Sequence, residues 1–163
     1  MTGLVEKVVG ATLMPQSFDT LVRERLERFG SSVTASRAAT SFDVSQDDGL
    51  GLVVRRTDGQ RGSLEMTGTT EVYLLDLGDV YRTQEVAYEP DEKLEVLDGL
   101  LEQLRRYLYR QYEEEISERG GRVISRKLRF IGEDPPPAIT ASSGWLSGLT
   151  KNIGSQKSII RPE

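Results

Sequence analysis

The 163-residue chain contains no histidine and no cysteine. Histidine is the side chain whose unperturbed pKa lies nearest neutrality, and it is the most common general base and metal ligand. Cysteine is the strongest side-chain nucleophile and a preferred zinc ligand. The two absences exclude a Ser-His-Asp triad, a Cys-His dyad, a Cys/His zinc site and any disulfide. Any chemistry would have to come from carboxylates, lysine, arginine, tyrosine and hydroxyl groups.

Long apolar runs are also missing. No stretch of the chain approaches the roughly 18 apolar residues that a membrane-spanning helix needs. Residues 1–15 include an acidic residue and have no basic region ahead of their apolar part, which is not typical of a signal peptide. We therefore expect a cytoplasmic protein without a membrane partner.

An excess of positive charge is absent too. The 26 acidic residues outnumber the 21 Lys and Arg residues, and the formal net charge is −5. Only residues 105–129 are clearly basic, with eight Lys or Arg against four Glu. Because nucleic-acid-binding domains usually are basic, we do not expect a nucleic-acid partner. An acidic surface instead favours solubility and attraction to basic partners.

The segment 15–29 predicts an amphipathic helix. Pro15 suits a first turn, and Gly30 is expected to end the helix. Apolar residues recur at helical spacing along this segment: Phe18, Leu21, Val22, Leu26 and Phe29. This helix should therefore lie on a core with its other side in water.

Residues 31–88 are typical of a β-meander. They are rich in Val, Thr, Tyr and Leu, with turn residues in between, and predict strands near 32–44, 50–57, 62–67, 70–77 and 80–88. Short connections imply antiparallel neighbours, because parallel strands need a long crossover. The nearly continuous apolar run in the fourth of these segments predicts a central strand covered on both faces.

A long second helix is predicted over residues 90–119. Pro90 and two acidic residues suit its first turn, and Gly120-Gly121 is expected to end it. Its apolar positions step by three and four: Leu94, Leu97, Leu101, Leu104, Leu108, Tyr112 and Ile116. Leu100 and Tyr107 widen this stripe, so the helix is expected to face a core.

Residues 122–131 predict a last strand with one apolar and one basic face. We therefore expect one α+β domain over residues 1–132, in which both helices cover one face of an antiparallel meander of about five to six strands. The Pro135-Pro136-Pro137 run then predicts a stiff hinge, followed by an extended C-terminal tail over residues 133–163.

No group of residues in the sequence predicts catalysis, a metal site or a cofactor. Asp76 and Asp79 flank a tight turn, and Asp47 and Asp48 precede another, where aspartate is favoured by local backbone hydrogen bonds. The spacing of the latter pair does not match a calcium loop. We interpret these carboxylates as turn residues, and expect neither cofactor nor metal; the sequence does not indicate a small-molecule ligand.

Two sets of residues predict a protein-binding surface. The first is the mixture of tyrosine and arginine near the end of the second helix, residue types enriched at interaction hot spots: Arg105, Arg106, Tyr109 and Arg110. The second is apolar and lies in the tail, where a disordered segment would carry few large apolar residues: Trp145, Leu146, Leu149 and Ile153. We expect this tail to dock, either on its own chain or on a neighbour.

These features favour a non-enzymatic, acidic interaction protein, such as an adaptor, a chaperone or an immunity-type inhibitor of a basic partner. Two alternatives stay open. One is a structural subunit of a symmetric assembly, for example a phage or nanomachine ring, whose C-terminal arms are swapped between neighbours. The other is a small enzyme or ligand-binding domain that uses carboxylates and arginine.

Overall fold

The structure, a computed structural model, describes residues 17–46, 49–67, 71–142 and 156–162. Its elements, in chain order, are α1 (Phe18–Ala35), β1 (Ala39–Ser45), β2 (Gly51–Arg56), β3 (Arg61–Thr67), β4 (Val72–Leu77), β5 (Tyr81–Val86), α2 (Pro90–Leu108), β6 (Tyr112–Arg119), β7 (Arg122–Phe130), β8 (Ile139–Ser142) and β9 (Gln156–Ile160). Sheet A has the order β1-β2-β3-β4-β5, and sheet B has the order β8-β7-β6-β9. All neighbouring strands are antiparallel. The predicted α+β class is confirmed.

Sheet A is the predicted five-stranded meander. Directly opposite residues such as Leu64 and Leu75 share a face, and this inner face carries most of the core. Both helices pack on this face, with α1 against β1 and β2 and α2 against β3, β4 and β5. The helices run parallel to each other, because Arg25 pairs with Asp98 near the middle of both and Ser36 with Tyr109 at their ends.

The strand β4 alternates instead of being covered on both faces as predicted. Tyr73, Leu75 and Leu77 are buried under the helices. Leu74 and Asp76 lie on the other face and are partly exposed. The apolar run therefore contributes one core face, because the two described helices both cover sheet A on that side.

The first helix is longer than predicted. It begins at Phe18, with the Ser17 side chain accepting a hydrogen bond from the backbone N–H of Thr20, and it continues through Gly30 to Ala35. Gly30 does not end the helix but lets it approach β1, since a Cβ at this position would come within 2.2 Å of the Phe42 ring. Consequently the first strand begins at Ala39 and not near residue 32.

The second helix is shorter than predicted and ends at Leu108. Arg110 has a φ of 59°, the left-handed conformation that usually favours glycine. Its N–H donates to the carbonyl of Tyr107 at 3.1 Å, and the N–H of Gln111 donates to that of Arg106 at 2.8 Å. This pair of bonds is a Schellman motif, which satisfies the last carbonyls and turns the chain out of the helix.

Residues 112–119 form a strand, so the prediction of a helix up to residue 119 is wrong. Tyr112 and Ile116 are four residues apart and both face the interior. A spacing of four fits a helix, but it also fits a strand, because side chains alternate there with a period of two. The register of Tyr112 opposite Phe130 places the strand beside β7.

Sheet B was not predicted as a separate sheet. The expected last strand is present as β7, but it pairs with β6 and β8 and not with the meander. Leu128, Phe130 and Ile139 extend the common core to this sheet, and β8 lies against β5. Two segments of the predicted tail, β8 and β9, occupy the edges of sheet B.

In the described part of the chain, neither helix combines the length and the apolar character that crossing a membrane requires.

Candidate functional site

The four members of the predicted tyrosine and arginine cluster at the end of α2 each bond to groups within the chain. The guanidinium of Arg105 bonds to Glu102 at 3.0 Å and lies 5.8 Å from the centre of the Phe29 ring, on the α1 side. The guanidinium of Arg106 donates to the same Glu102 at 2.9 Å, and also to the carbonyl of Ile131 at 2.7 Å and to that of Glu133 at 2.9 Å. The two neighbours therefore share Glu102 and differ in their other contacts.

The other two members of that set also have partners within the chain. The Tyr109 hydroxyl donates to Ser36 Oγ at 2.5 Å and links the ends of the two helices. Arg110 donates to Asp58 Oδ2 at 3.4 Å, across the turn after β2. Adjacent residues at the end of a helix point in different directions around its axis, and Tyr109 and Arg110 accordingly contact different elements.

The predicted tail residues Trp145, Leu146, Leu149 and Ile153 lie outside the described residues. Their role in docking stays a prediction.

Arg56 is the centre of a polar network between the two sheets. The residue is buried, with 4% exposure. Its guanidinium carbon lies 4.6 Å from the centre of the Tyr107 ring, which stacks on Tyr112 at a centroid distance of 5.3 Å. One guanidinium nitrogen donates to the Tyr107 carbonyl and to the Tyr112 hydroxyl, each at 3.1 Å. The network thus joins β2 to α2 and β6.

Asp58 completes this network from the turn after β2. Its carboxylate accepts hydrogen bonds from Arg56 at 2.9 Å and 2.6 Å. This contact lowers the pKa of Asp58 from 3.8 to about 2. Burial by itself would lower the pKa of Arg56, but the bonds to Asp58 and Tyr112 outweigh it and raise the pKa. Both groups stay charged at neutral pH.

Arg56 and Asp58 line a cavity of about 320 Å³ between the two sheets. A second pair of polar side chains, Tyr81 and Glu114, lines the same cavity. The hydroxyl of buried Tyr81 donates to Glu114 Oε1 at 2.5 Å, and Arg126 donates to the same oxygen at 3.4 Å. Burial, and then the bond to the carboxylate, raises the pKa of Tyr81. Burial also raises the pKa of Tyr107 to about 12. Both tyrosines are therefore protonated at neutral pH and are poor bases.

The charged side chains that line this cavity bond to partners within the chain. The guanidinium of Arg56 occupies the aromatic face that an external cation would use, and Glu114 is already bonded to Tyr81 and Arg126. Within the described ranges, no three Asp or Glu residues are grouped so that they could hold a metal ion. The arrangement joins the two sheets, and its residues bond to one another.

A groove of about 620 Å³ lies between α1 and α2. Its floor includes Phe29 and Leu101, and its rim holds pairs of opposite charge, such as Arg25 with Asp98 and Arg105 with Glu102. Because these charges neutralise one another, the rim does not favour a ligand of either sign.

Among the described strands, β9 is the one in which every residue is exposed. All five of its residues are exposed, including Ile159 at 65% and Ile160 at 48%. It pairs with β6 along one edge, and in the described part of the chain no strand pairs with its other edge. An open edge presents unpaired N–H and C=O groups to which another extended chain can bond.

Ion pairs hold β9 in register on β6. The Lys157 ammonium donates to Glu115 at 2.9 Å, and the Arg161 guanidinium donates to Glu113 at 2.6 Å. The hydrogen bond from Lys157 is the main cause that lowers the pKa of Glu115. The edge of β6 thus recognises both the backbone and the charges of residues 156–161.

The opposite edge of the molecule, β1, is protected. Its exposed residues include Ser41, Asp43 and Ser45, and a bulge between Ala39 and Ser41 interrupts its register. Polar side chains and bulges are common devices against edge-to-edge pairing. β9 has a regular register without a bulge, and its lysine, Lys157, is paired with Glu115 of β6, so that two adjacent isoleucines, Ile159 and Ile160, form the exposed end of this strand.

A comparison of the chain with protein-family models, with curated proteins and with solved structures found no match.

Proposed function

We propose that this protein is a non-enzymatic interaction module that binds a protein partner through the outer edge of sheet B, centred on β9. The observation that carries the proposal is that β9 exposes every residue, two adjacent isoleucines among them, on an edge that no described strand pairs with. Addition of a strand to such an edge is a recurrent mode of peptide and protein recognition.

The pairing of β9 with β6 is only marginally stable, and a further contact would stabilise it. None of its five side chains is buried, so packing contributes little. Ladder hydrogen bonds contribute about 0.5–1.5 kcal/mol each, and ordering a residue costs about 1–2 kcal/mol of backbone entropy. For β9 by itself, the free energy gained from ladder hydrogen bonds is therefore close to the entropic cost of ordering the strand. A partner that covers Ile159 and Ile160 would add about 1.5–3 kcal/mol for each side chain that becomes fully buried.

Composition and the polar cavity agree with this assignment. Histidine and cysteine are absent, and in the inter-sheet cavity Arg56 is bonded to Asp58 and Tyr81 to Glu114, which argues against an enzyme. The net charge of −5 favours partners with basic surfaces, as expected of an adaptor, a chaperone or an inhibitor of a basic protein.

The test uses the full chain as bait in extracts of its source cells. Ile159→Lys places a charge in the proposed interface and is expected to reduce partner capture at least tenfold. Val86→Lys is the matched control, because Val86 is an exposed apolar strand residue on sheet A and receives the same charge. Both variants should keep the melting temperature of the parent chain, so that loss of capture reports on binding.

Equal capture by both variants would place the binding surface elsewhere. A fall in capture by Val86→Lys alone would move it to the outer face of sheet A.

A further inference from the structure

We infer that the outer face of sheet B, the face turned away from the core, binds a compact ligand that carries several phosphate groups. This binding is distinct from the proposed function, because the ligand contacts the face of the sheet and the protein partner contacts its edge. The charge of the side chains that the register places on this face supports the inference.

The outer face of sheet B is strongly basic. Tyr112 and Ile116 of β6 face the core, so Glu113, Glu115 and Arg119 alternate with them and face outward. Directly opposite and ion-paired residues of the neighbouring strands complete this face, whose charged members are Arg119, Arg122, Lys127, Arg129, Lys157, Arg161, Glu113 and Glu115. Six cations against two carboxylates give a local net charge of +4, whereas the whole chain has −5, so the remainder carries −9.

The outer face of sheet A has no such excess of charge. Its register places three cations and three acids there, namely Arg55, Arg61 and Arg82 with Asp43, Glu65 and Asp76. Positive charge is therefore a particular property of sheet B and not of exposed sheet faces in general. Complementarity of charge favours an anionic ligand on such a face.

Three cations on the outer face of sheet B have no acidic partner among the described residues. Both carboxylates of this face are already bonded to cations of β7 and β9. The cations left over are Arg119, Arg122 and Lys127. Arg119 and Arg122 lie directly opposite each other at the Gly120-Gly121 turn and are exposed, and like charges in opposite positions are destabilising. An anion bound between them would remove this repulsion.

The chemistry of this face suits phosphate groups. Arginine donates two parallel N–H bonds to a phosphate, and serine and threonine hydroxyls are common phosphate contacts. Thr140 lies opposite Lys127, and Ser125 is two residues along the same strand. None of the described residues on this face is aromatic, so it offers no platform on which nucleic-acid bases could stack. The negative charge of the rest of the chain would repel a long polyanion, which favours a compact one.

The phosphate ligand and the protein partner would support each other. A basic partner at the edge of β9 meets positive charge on the adjoining face, and a bound phosphate compound would neutralise that charge. The two sites can still be tested separately, because they occupy different surfaces. Phosphate binding does not require a partner, and partner capture by β9 is measured without added phosphate.

The test measures binding of inorganic tripolyphosphate to the full chain by isothermal titration calorimetry at constant ionic strength. We expect saturable binding by the parent chain. Replacing both Arg119→Gln and Arg122→Gln should weaken it by about tenfold or more, because two guanidinium contacts are lost. The matched control is Arg55→Gln with Arg61→Gln, which removes another directly opposite pair of exposed arginines, from the balanced face of sheet A. This control should change the affinity by less than about twofold, because salt screens distant surface charges.

Both double variants should keep or raise the melting temperature of the parent chain, because each removes a repulsion between like charges. A loss of binding therefore reports on the contact and not on folding. Equal losses of affinity in the two double variants would overturn the inference, and so would the absence of saturable binding by the parent chain.

Two further titrations identify the source of the anion. A hexaglutamate peptide presents carboxylates in place of phosphates, and an oligothymidylate presents phosphates along a nucleic-acid backbone. Both should bind about tenfold more weakly than tripolyphosphate, since the face favours charge-dense, compact anions. Tighter binding of the peptide would identify an acidic protein segment as the ligand, and an affinity that rises with oligonucleotide length would identify nucleic acid. Either result would overturn the compact phosphate ligand and leave the proposed function of β9 untouched.

Discussion

Sheet A and sheet B share one core but are held together by different forces. The inner face of sheet A is apolar along β2, β3 and β4 and is covered by two helices. Sheet B has one face toward the core, and its strands are joined by four ion pairs between β6 and its two neighbours. Sheet A has one such inter-strand pair in the described residues, Asp76 with Arg82.

The difference determines where each sheet derives its stability. A buried leucine contributes about 1.5–3 kcal/mol through its removal from water, whereas exposed ion pairs contribute little because water and salt screen them. Sheet A therefore sets the stability of the fold. The outer part of sheet B, around β9, has few buried contacts and belongs to the regions that open at low cost, from which interaction elements are commonly drawn.

The largest effect should come from truncating a core leucine beneath sheet A. Leu104 is fully buried on α2, and its side chain fills the space beside Gly62. We expect Leu104→Ala to lower the free energy of unfolding by about 2–5 kcal/mol, because it leaves a cavity. Ile159→Ala on β9 should change it by less than about 0.5 kcal/mol. Urea denaturation of both variants would test the comparison, and similar losses would contradict it.

An intermediate effect is expected at the junction of the sheets. Arg56→Ala removes the buried guanidinium that joins Asp58, Tyr107 and Tyr112, and should cost about 2–3 kcal/mol because partly buried partners lose their hydrogen bonds. Arg82→Ala, which breaks a bidentate pair with Asp76 on the exposed face of sheet A, is the matched control. Thermal denaturation should show a much smaller loss for the control, and equal losses would mean that burial of Arg56 contributes nothing.

The smallest effect should be the pH dependence from the same junction. Asp58 has a pKa of about 2 in the folded protein, below its ordinary value of 3.8, so its charged form is stabilised by folding. This contribution is complete above pH about 4 and is lost as the pH falls toward about 2. The Asp58→Asn variant should lose stability less steeply than the parent between pH 4 and 2. Parallel stability curves over that range would contradict the role of this carboxylate.

Much of sheet A could be predicted from the sequence, because its strands alternate and its turns carry glycine and aspartate. The C-terminal ends of the helices could not. α1 continues through Gly30 since this residue faces the Phe42 ring, and α2 ends because Arg110 adopts a left-handed conformation. Neither residue type signals these roles, as they depend on contacts with β1 and on the direction of the next strand.

Sheet B and the candidate surface could be predicted only in part. Three consecutive glutamates, 113–115, are unusual in a strand, and their pairing with Arg126, Arg129, Lys157 and Arg161 becomes visible only when distant segments meet. In the predicted cluster at residues 105–110, Arg105 and Arg106 share Glu102, whereas Tyr109 bonds to Ser36 and Arg110 to Asp58. The predicted docking residues of the C-terminal segment lie outside the described residues, and its strand β9 lies at the edge of sheet B.

The sequence by itself determined the α+β class, the five-stranded meander, the start of α2 and the absence of histidine and cysteine chemistry. These properties follow from composition and from local periodicity, which act within a few residues. The tertiary structure decided where α2 ends, that residues 112–119 form a strand, that a second sheet exists and that β9 lies on its edge. These properties depend on side chains far apart in sequence, because a four-residue spacing and a run of charges each fit more than one local structure until their partners are in place.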